Sequence, residues 1–340
     1  MDRENRELAS ADSFAHTSTN RKSILFSIVR NFLIKEGLTP GIFPAPLLLG
    51  LSGGPDSMAL FHLLLEQKKN LCLDLHVAHV NHGWREESHD EQQFLKKYVE
   101  SYGLPFHTTS FSVQKRSEIE ARKVRFSFFA SVYQKIGCQA LLLGHHNGDQ
   151  TETLFKQFLE GVDLFFLHGI KPINSVENMQ IWRPLLLCKK ESLKEFLVCR
   201  NLPFFEDETN KDSRFLRTRF RESLLPTVEK DLGKKISRKL ATLSLQAQDL
   251  QRYLTKQIAP YIQLLDSQNR CIDLNSLAPF DSLELYFFLQ WWFKKEKISL
   301  PRALLDLCIE EIQNNSRSRE IIKNKILIQI YKRNVAIKAL

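Results

Sequence analysis

LLLGL at residues 47–51, SGGPDS at 52–57 and SMALFHLLLEQ at 57–67 follow one another without a break, and their reading decides the fold. The first apolar run is short enough for a buried strand, the second carries helical spacing, and Gly and Pro between them mark a sharp turn. Gly53 and Gly54 let the backbone turn with no side chain in the way, so successive amide hydrogens can converge on phosphate oxygens. Ser52 and Ser57 add hydroxyls, and a helix starting near Asp56 adds its positive N-terminal end. Ser52, Gly53, Gly54, Pro55, Asp56 and Ser57 are therefore a candidate triphosphate loop. The plainer reading is a strand-to-helix turn capped by Asp56 or Ser57. Against it, the motif follows the first strand of an alternating pattern, and no GxxxxGK[ST] occurs elsewhere as a rival nucleotide site.

Working outward, residues 22–37 read as a helix, 71–80 as a second strand, 89–102 as a helix, 105–111 as extended, 118–136 as a helix, 139–144 as extended and 150–160 as a helix. Strand and helix in alternation predict an α/β fold, a parallel doubly wound sheet with ligands at the carboxyl ends of its strands. Past residue 225 the pattern changes to a long helical stretch, the aromatic run LELYFFLQWWF at 283–293, and IIKNKILIQIYKRNVAIK, which reads as two pairing strands. The expected domains are a polar, disordered leader at 1–21, a catalytic domain at 22–225, and a smaller, mainly helical domain at 226–340.

Composition narrows the classes. A hydrophobic fraction of 43% and a charged fraction of 26% belong to an ordinary packed protein. Lys and Arg outnumber Asp and Glu by 48 to 39, which favours polyanionic partners. Six cysteines stand scattered with no CxxC pair and no zinc-cage spacing, which suits a reducing cytoplasm. The first twenty residues have no apolar core of the secretory kind, and Gly and Pro interrupt the uncharged stretch 37–55, so neither export nor a membrane helix is expected.

Four further segments carry charged and aromatic residues in a set order: HVNHGWREES at 79–88, ARKVRF at 121–126, GHHNGDQTET at 144–153 and EDETNKDSRFLRTRFR at 206–221. SGGxDS after a first strand resembles the pyrophosphate loop (PP-loop) of the ATP pyrophosphatases, the adenine nucleotide alpha hydrolase-like fold. With the four segments, residues 22–226 resemble the tRNA(Ile)-lysidine synthetases. The chain departs from that family's pattern at Trp84, where leucine is usual, and at Thr218, where asparagine is usual.

The resemblance implies a cytoplasmic ligase that uses ATP and Mg2+ to adenylate the wobble cytidine of a tRNA(Ile) with a CAU anticodon. The amine of L-lysine then displaces AMP. Because free lysine titrates near 10.4, the site must also take up a proton. Asp149 and Glu152, three apart at the start of a helix, lie on one face. They either bind Mg2+, with Asp56, or hold and deprotonate the lysine amine, and a capping box is the plain alternative. Arg217 joins Asp56, Asp149 and Glu152 as a catalytic candidate, and Arg125 and His145 join the loop as ATP ligands. Arg214, Arg217, Arg219 and Arg221 offer planar charged forks for phosphates. Arg219 and Arg221 with Lys234, Lys235 and Arg238 form an expected tRNA track, a solvated basic helix being the alternative. Rival readings are a tRNA thiolase, a small-molecule amide ligase, and an RNA-binding protein with a vestigial loop.

Overall fold

The computed structural model describes residues 24–39, 41, 45–83, 87–111, 118–206, 216–234, 236–315, 318–323 and 326–339. The leader at 1–21, Trp84, Arg214 and Lys235 lie outside the described residues, as do the side chains of Arg217 and Arg238.

The chain forms two compact units, one made up to Gly161 and from Gly169 to Thr242, the other from Val162–His168 and from Leu243 onward. The first unit holds strands β1 (Leu47–Gly50), β2 (Leu75–Asn81), β3 (Phe106–Ser110), β4 (Ala140–Leu142), β5 (Ile173–Val176) and β6 (Met179–Trp182). Its helices are α1 (24–35), α2 (Pro55–Lys68), α3 (Ser88–Glu100), α4 (Glu118–Ile136), α5 (Asn147–Leu159), α6 (Lys190–Val198), α7 (Leu216–Arg219) and α8 (Leu225–Leu232). The sheet order is β3-β2-β1-β4-β6-β5, parallel except for β5, which pairs antiparallel with β6. The expected doubly wound parallel sheet is present, with one antiparallel edge strand.

Leu47, Leu48 and Leu49 are fully buried because β1 is central, with β2 on one side and β4 on the other. Burying each contributes roughly 2 kcal/mol. Helix α2 is buried over most of its surface, from Met58 through Leu64, so the phosphate-loop helix is also the middle of the core. Pro55 occupies its first turn, where a missing N–H costs nothing, and Lys68 sits in its last. Chain order reverses between β1 and β4, and the carboxyl ends of these two strands are where an open sheet of this kind forms its ligand crevice. Ser52 follows β1 and Gly144 follows β4, so the two strongest sequence motifs meet at this point.

The β5–β6 hairpin turns on Glu177 and Asn178, both with positive φ (49° and 64°), and pairs Val176 with Met179, as a two-residue primed turn requires. It delivers Arg183, directly after β6, beside the end of β4, where Leu143 N donates to Trp182 O at 3.0 Å.

The second unit includes most of α9 (Ile236–Gln257), with α10 (Ala259–Leu264), α11 (Ser282–Lys295), α12 (Arg302–Asn314) and strands β7 (Cys271–Asp273), β8 (Arg319–Lys323), β9 (Ile326–Tyr331) and β10 (Asn334–Ala339). The strands make an antiparallel sheet in the order β7-β10-β9-β8. The C-terminal part therefore carries four strands besides its helices, where the sequence pattern suggested two. Its core is the aromatic run of α11: Phe287, Phe288, Trp292 and Phe293 are buried among Ile272, Ile328 and Ile330. The segment Val162–His168 belongs here because Phe165 and Phe166 pack on Phe287, and Asp163 Oδ2 accepts from Tyr286 Oη at 2.7 Å.

Candidate active site

The loop after β1 is held by its own hydroxyls. Ser57 Oγ donates to Gly54 O at 3.0 Å and accepts from Ser52 N at 3.2 Å. Ser52 Oγ stands 3.0 Å from Ser57 Oγ and accepts from Gly54 N at 3.3 Å. Gly54, not Asp56 or Ser57, is the N-cap of α2, and no side chain caps it. The first-turn amides thus have no intrahelical acceptor and face the crevice end of the sheet, the arrangement that binds anions.

Two glycines are required by close approach. Gly53 has φ +87°, and a β-carbon on it would lie 2.7 Å from the Phe205 ring, whose backbone N donates to Gly53 O at 2.9 Å. A β-carbon on Gly144 would lie 2.9 Å from Asp56 O. Gly144→Ala is accordingly expected to push β4 away from the start of α2 and to weaken ATP binding at least tenfold, by roughly 1.4 kcal/mol. Titration calorimetry with a non-hydrolysable ATP analogue checks this, and unchanged affinity would refute the close-packed loop.

GHHNGDQTET enters the same crevice from the other side. His146 is the N-cap of α5: its Nδ1 accepts from Gly148 N at 2.8 Å, while its own N donates to Asp149 Oδ2 at 2.8 Å. The capping box therefore runs from His146 to Asp149, not from Asp149 to Glu152 as the spacing suggested. With Nδ1 accepting, the ring proton sits on Nε2, 3.6 Å from Asp56 Oδ2. Asp56 and Asp149 thus flank one buried histidine. Burial pushes the Asp56 carboxyl up from its ordinary value, with His146 and Lys190 opposing and Asp149 adding to the rise. Asp56 Oδ1 is buried with no hydrogen-bond partner among the described residues. Such an oxygen is costly to leave bare and suits a cation.

Glu152, one turn further along α5, is buried, and Arg221 Nη1 stands 3.8 Å from its Oε1. Arg221 also contacts Glu222 through Nε at 3.1 Å. Among the residues expected to track tRNA, Arg221 is thus brought to the site carboxylates, whereas Arg219 and Lys234 are exposed. The backbone of Arg217 lies in α7 and that of Arg238 in α9.

His145 is nearly encircled by charge. Burial pushes it down to about 4, with Asp149 pulling the other way and Arg183, Arg122 and Arg125 adding to the fall. Arg183 is itself 6% exposed, lowered to about 10 by burial and by Arg122, and donates through Nε to His145 Nδ1 at 3.2 Å. Arg125, singled out from ARKVRF, therefore lies near His145 and depresses His82 as well, second to burial, to about 4. Sequence reasoning missed Arg183, Arg122 and Lys190. The available signal for Arg183 was a single arginine between QIW and PLLL, at the carboxyl end of an apolar run.

Fold and site define a PP-loop nucleotide-binding domain, and a family model described as PP-loop domain matches residues 33–228. In the solved structure of the U34-tRNA thiolase NcsA from Methanococcus maripaludis, the same fold is found with a TM-score of 0.56 and 19% identity, over 69% of this chain and 80% of that one. Sequence similarity narrows the class. A tRNA(Ile)-lysidine synthase of Protochlamydia amoebophila is 34% identical over 79% of this chain and 60% of its own length. One of Chlamydia pneumoniae is 32% identical over 83% of this chain and 89% of its own length. The chain belongs to the tRNA(Ile)-lysidine synthase family, a family of ligases.

Proposed function

We propose that the chain ligates L-lysine to C2 of the wobble cytidine in a CAU-anticodon tRNA(Ile), at the expense of ATP, in the cytoplasm. The C2 carbonyl oxygen attacks the α-phosphorus and pyrophosphate leaves; the lysine Nε then attacks C2 and AMP leaves with the oxygen. The observation that carries this reading is the placing of Asp56, at the amide-lined start of α2, and Asp149 on either side of His146 at the switch point of the sheet, with Glu152 one turn further along α5. The loop 52–57 is the triphosphate cradle, with Arg125 and His145 as further ATP ligands.

The bare Asp56 Oδ1 fits a divalent cation. Asp56 and Asp149 are the residues that would hold Mg2+, which supplies charge neutralisation to the phosphates; substrate oxygens and water complete a shell of this kind. Glu152 is the proposed proton acceptor for the lysine ammonium, and Arg217 the cation facing charge that develops on the adenylate. Arg219, Arg221, Lys234, Lys235 and Arg238 are proposed to meet tRNA phosphates, and Arg221 does so from a position that also contacts Glu152. No described helix is long and apolar enough to cross a membrane.

Labelled lysine should enter an unmodified CAU-anticodon isoleucine transcript with release of AMP and pyrophosphate, and should not enter methionine tRNA with the same anticodon. Cleavage of ATP without lysine transfer would overturn the substrate assignment and leave the PP-loop chemistry standing.

A further inference from the structure

His145 and Arg183 form a built pair at the carboxyl end of β4, from residues 38 apart in the chain. The guanidinium is fixed from three sides: Nη1 donates to Lys171 O at 2.8 Å and to Asn174 Oδ1 at 2.5 Å, and Nε donates to His145 Nδ1 at 3.2 Å. A guanidinium has no acceptor, so the ring nitrogen opposite it must carry the lone pair. The remaining ring nitrogen, Nε2, then holds the proton and has no hydrogen-bond partner among the described residues. Hydrogen bonding at one imidazole nitrogen sets what the other can do. A buried arginine spent on a histidine is an expensive way to stabilise a fold, since an aliphatic side chain of similar volume avoids desolvating the charge.

We propose that Arg183 is a positioning residue, which locks His145 as the neutral Nε2–H tautomer so that it presents one fixed hydrogen-bond donor to an oxygen of the nucleotide. This rests on the reading of His145 as an ATP ligand. A ring free to take the other tautomer would offer a lone pair to phosphate oxygen and repel it. The groups facing His145 are Asp149 on α5, Arg122 and Arg125 on α4, and Arg183 after β6, and the three arginines together disfavour a second proton, and with it a positive charge, on the ring.

The test is nitrogen-15 spectroscopy of histidine-labelled full-length protein, with His145→Gln identifying the resonance. The parent protein should show His145 wholly as the Nε2–H form. A Nδ1–H form in the parent overturns the proposal whether or not Arg183→Met folds. Arg183→Met, which keeps an unbranched apolar stem but has neither donor nor charge, should show mixed tautomers and a fall of about 10- to 100-fold in kcat for tRNA-dependent AMP formation, with KM for tRNA within about twofold. Arg183→Lys should keep the fold and recover only part of kcat, because a single ammonium does not reproduce the fork. A mixed tautomer with unchanged kcat also overturns the link to the nucleotide. The tautomer is read without ATP or tRNA, so failure of the substrate assignment leaves this result distinct.

Discussion

Asp56→Asn is expected to lower tRNA-dependent AMP formation by about a thousandfold, the scale of losing a metal-held or charge-stabilising group at a reacting phosphate. At neutral pH the same variant should be at least as stable as the parent. The carboxylate is half-buried beside His146 and Asp149, with one oxygen buried and unpartnered, so its charge costs the empty protein free energy. The sign follows from the raised folded-state titration. Between the ordinary value of 3.8 and the higher folded value the native protein holds a proton that the unfolded chain has lost. The stabilising contribution of Asp56 is therefore complete below 3.8 and lost as pH rises through the folded value. Asparagine removes that loss, so the variant's advantage in melting temperature should be larger at neutral pH than at acid pH. Calorimetric melting at both pH values checks it. A variant that melts well below the parent at neutral pH would show that Asp56 holds the loop together instead of waiting for a cation.

The alternation of strand and helix was legible because β1, β2 and β4 are short, mostly apolar runs bounded by Gly, Pro or charge, and β3 is a threonine-rich FHTTS stretch opened by Pro105. Helix α4 was read with its observed limits. β2 was read four residues early because LCLD continues its apolar alternation; Leu71 N and Leu73 N instead bond back to Gln67 O and Lys68 O, and Cys72 takes φ +51° to close α2. The start of α5 was read at 150 instead of Asn147 because a histidine side chain caps it, and histidine carries no strong capping signal. Two hairpins were blurred or missed for one reason: their tight turns are Glu177-Asn178 and Lys332-Arg333, all at positive φ and none glycine. The hydroxyls, carboxylates and histidines of the site were legible where they are contiguous, in SGGPDS and GHHNGDQTET. Arg183 and Arg221 reach the same place only through the tertiary fold, after strand β6 and beyond α7, and a single chain read alone has no periodicity that would pair either with its partner.

Glu152→Gln separates the two halves of the proposed reaction. Adenylation needs the loop, the cation site and the phosphate ligands, none of which contains Glu152. Lysine transfer needs a neutral amine, and a buried carboxylate 3.8 Å from Arg221 is placed to hold the ammonium and take its proton. Glutamine keeps the shape and removes the basic oxygen. Lysine incorporation should therefore fall by about 10²- to 10⁴-fold, while tRNA-dependent pyrophosphate release stays within about tenfold of the parent. The fold should survive, because Arg221 is about one-third exposed and water can solvate it once the carboxylate is gone. The two rates are read in parallel, with labelled ATP for the first step and labelled lysine for the second, and excess pyrophosphate should reverse the stalled first step to give ATP. Equal loss of both rates would assign Glu152 to the adenylation half. It would leave Asp149, whose Oδ2 is engaged by the His146 amide but whose other oxygen is not so held, as the carboxylate for the amine.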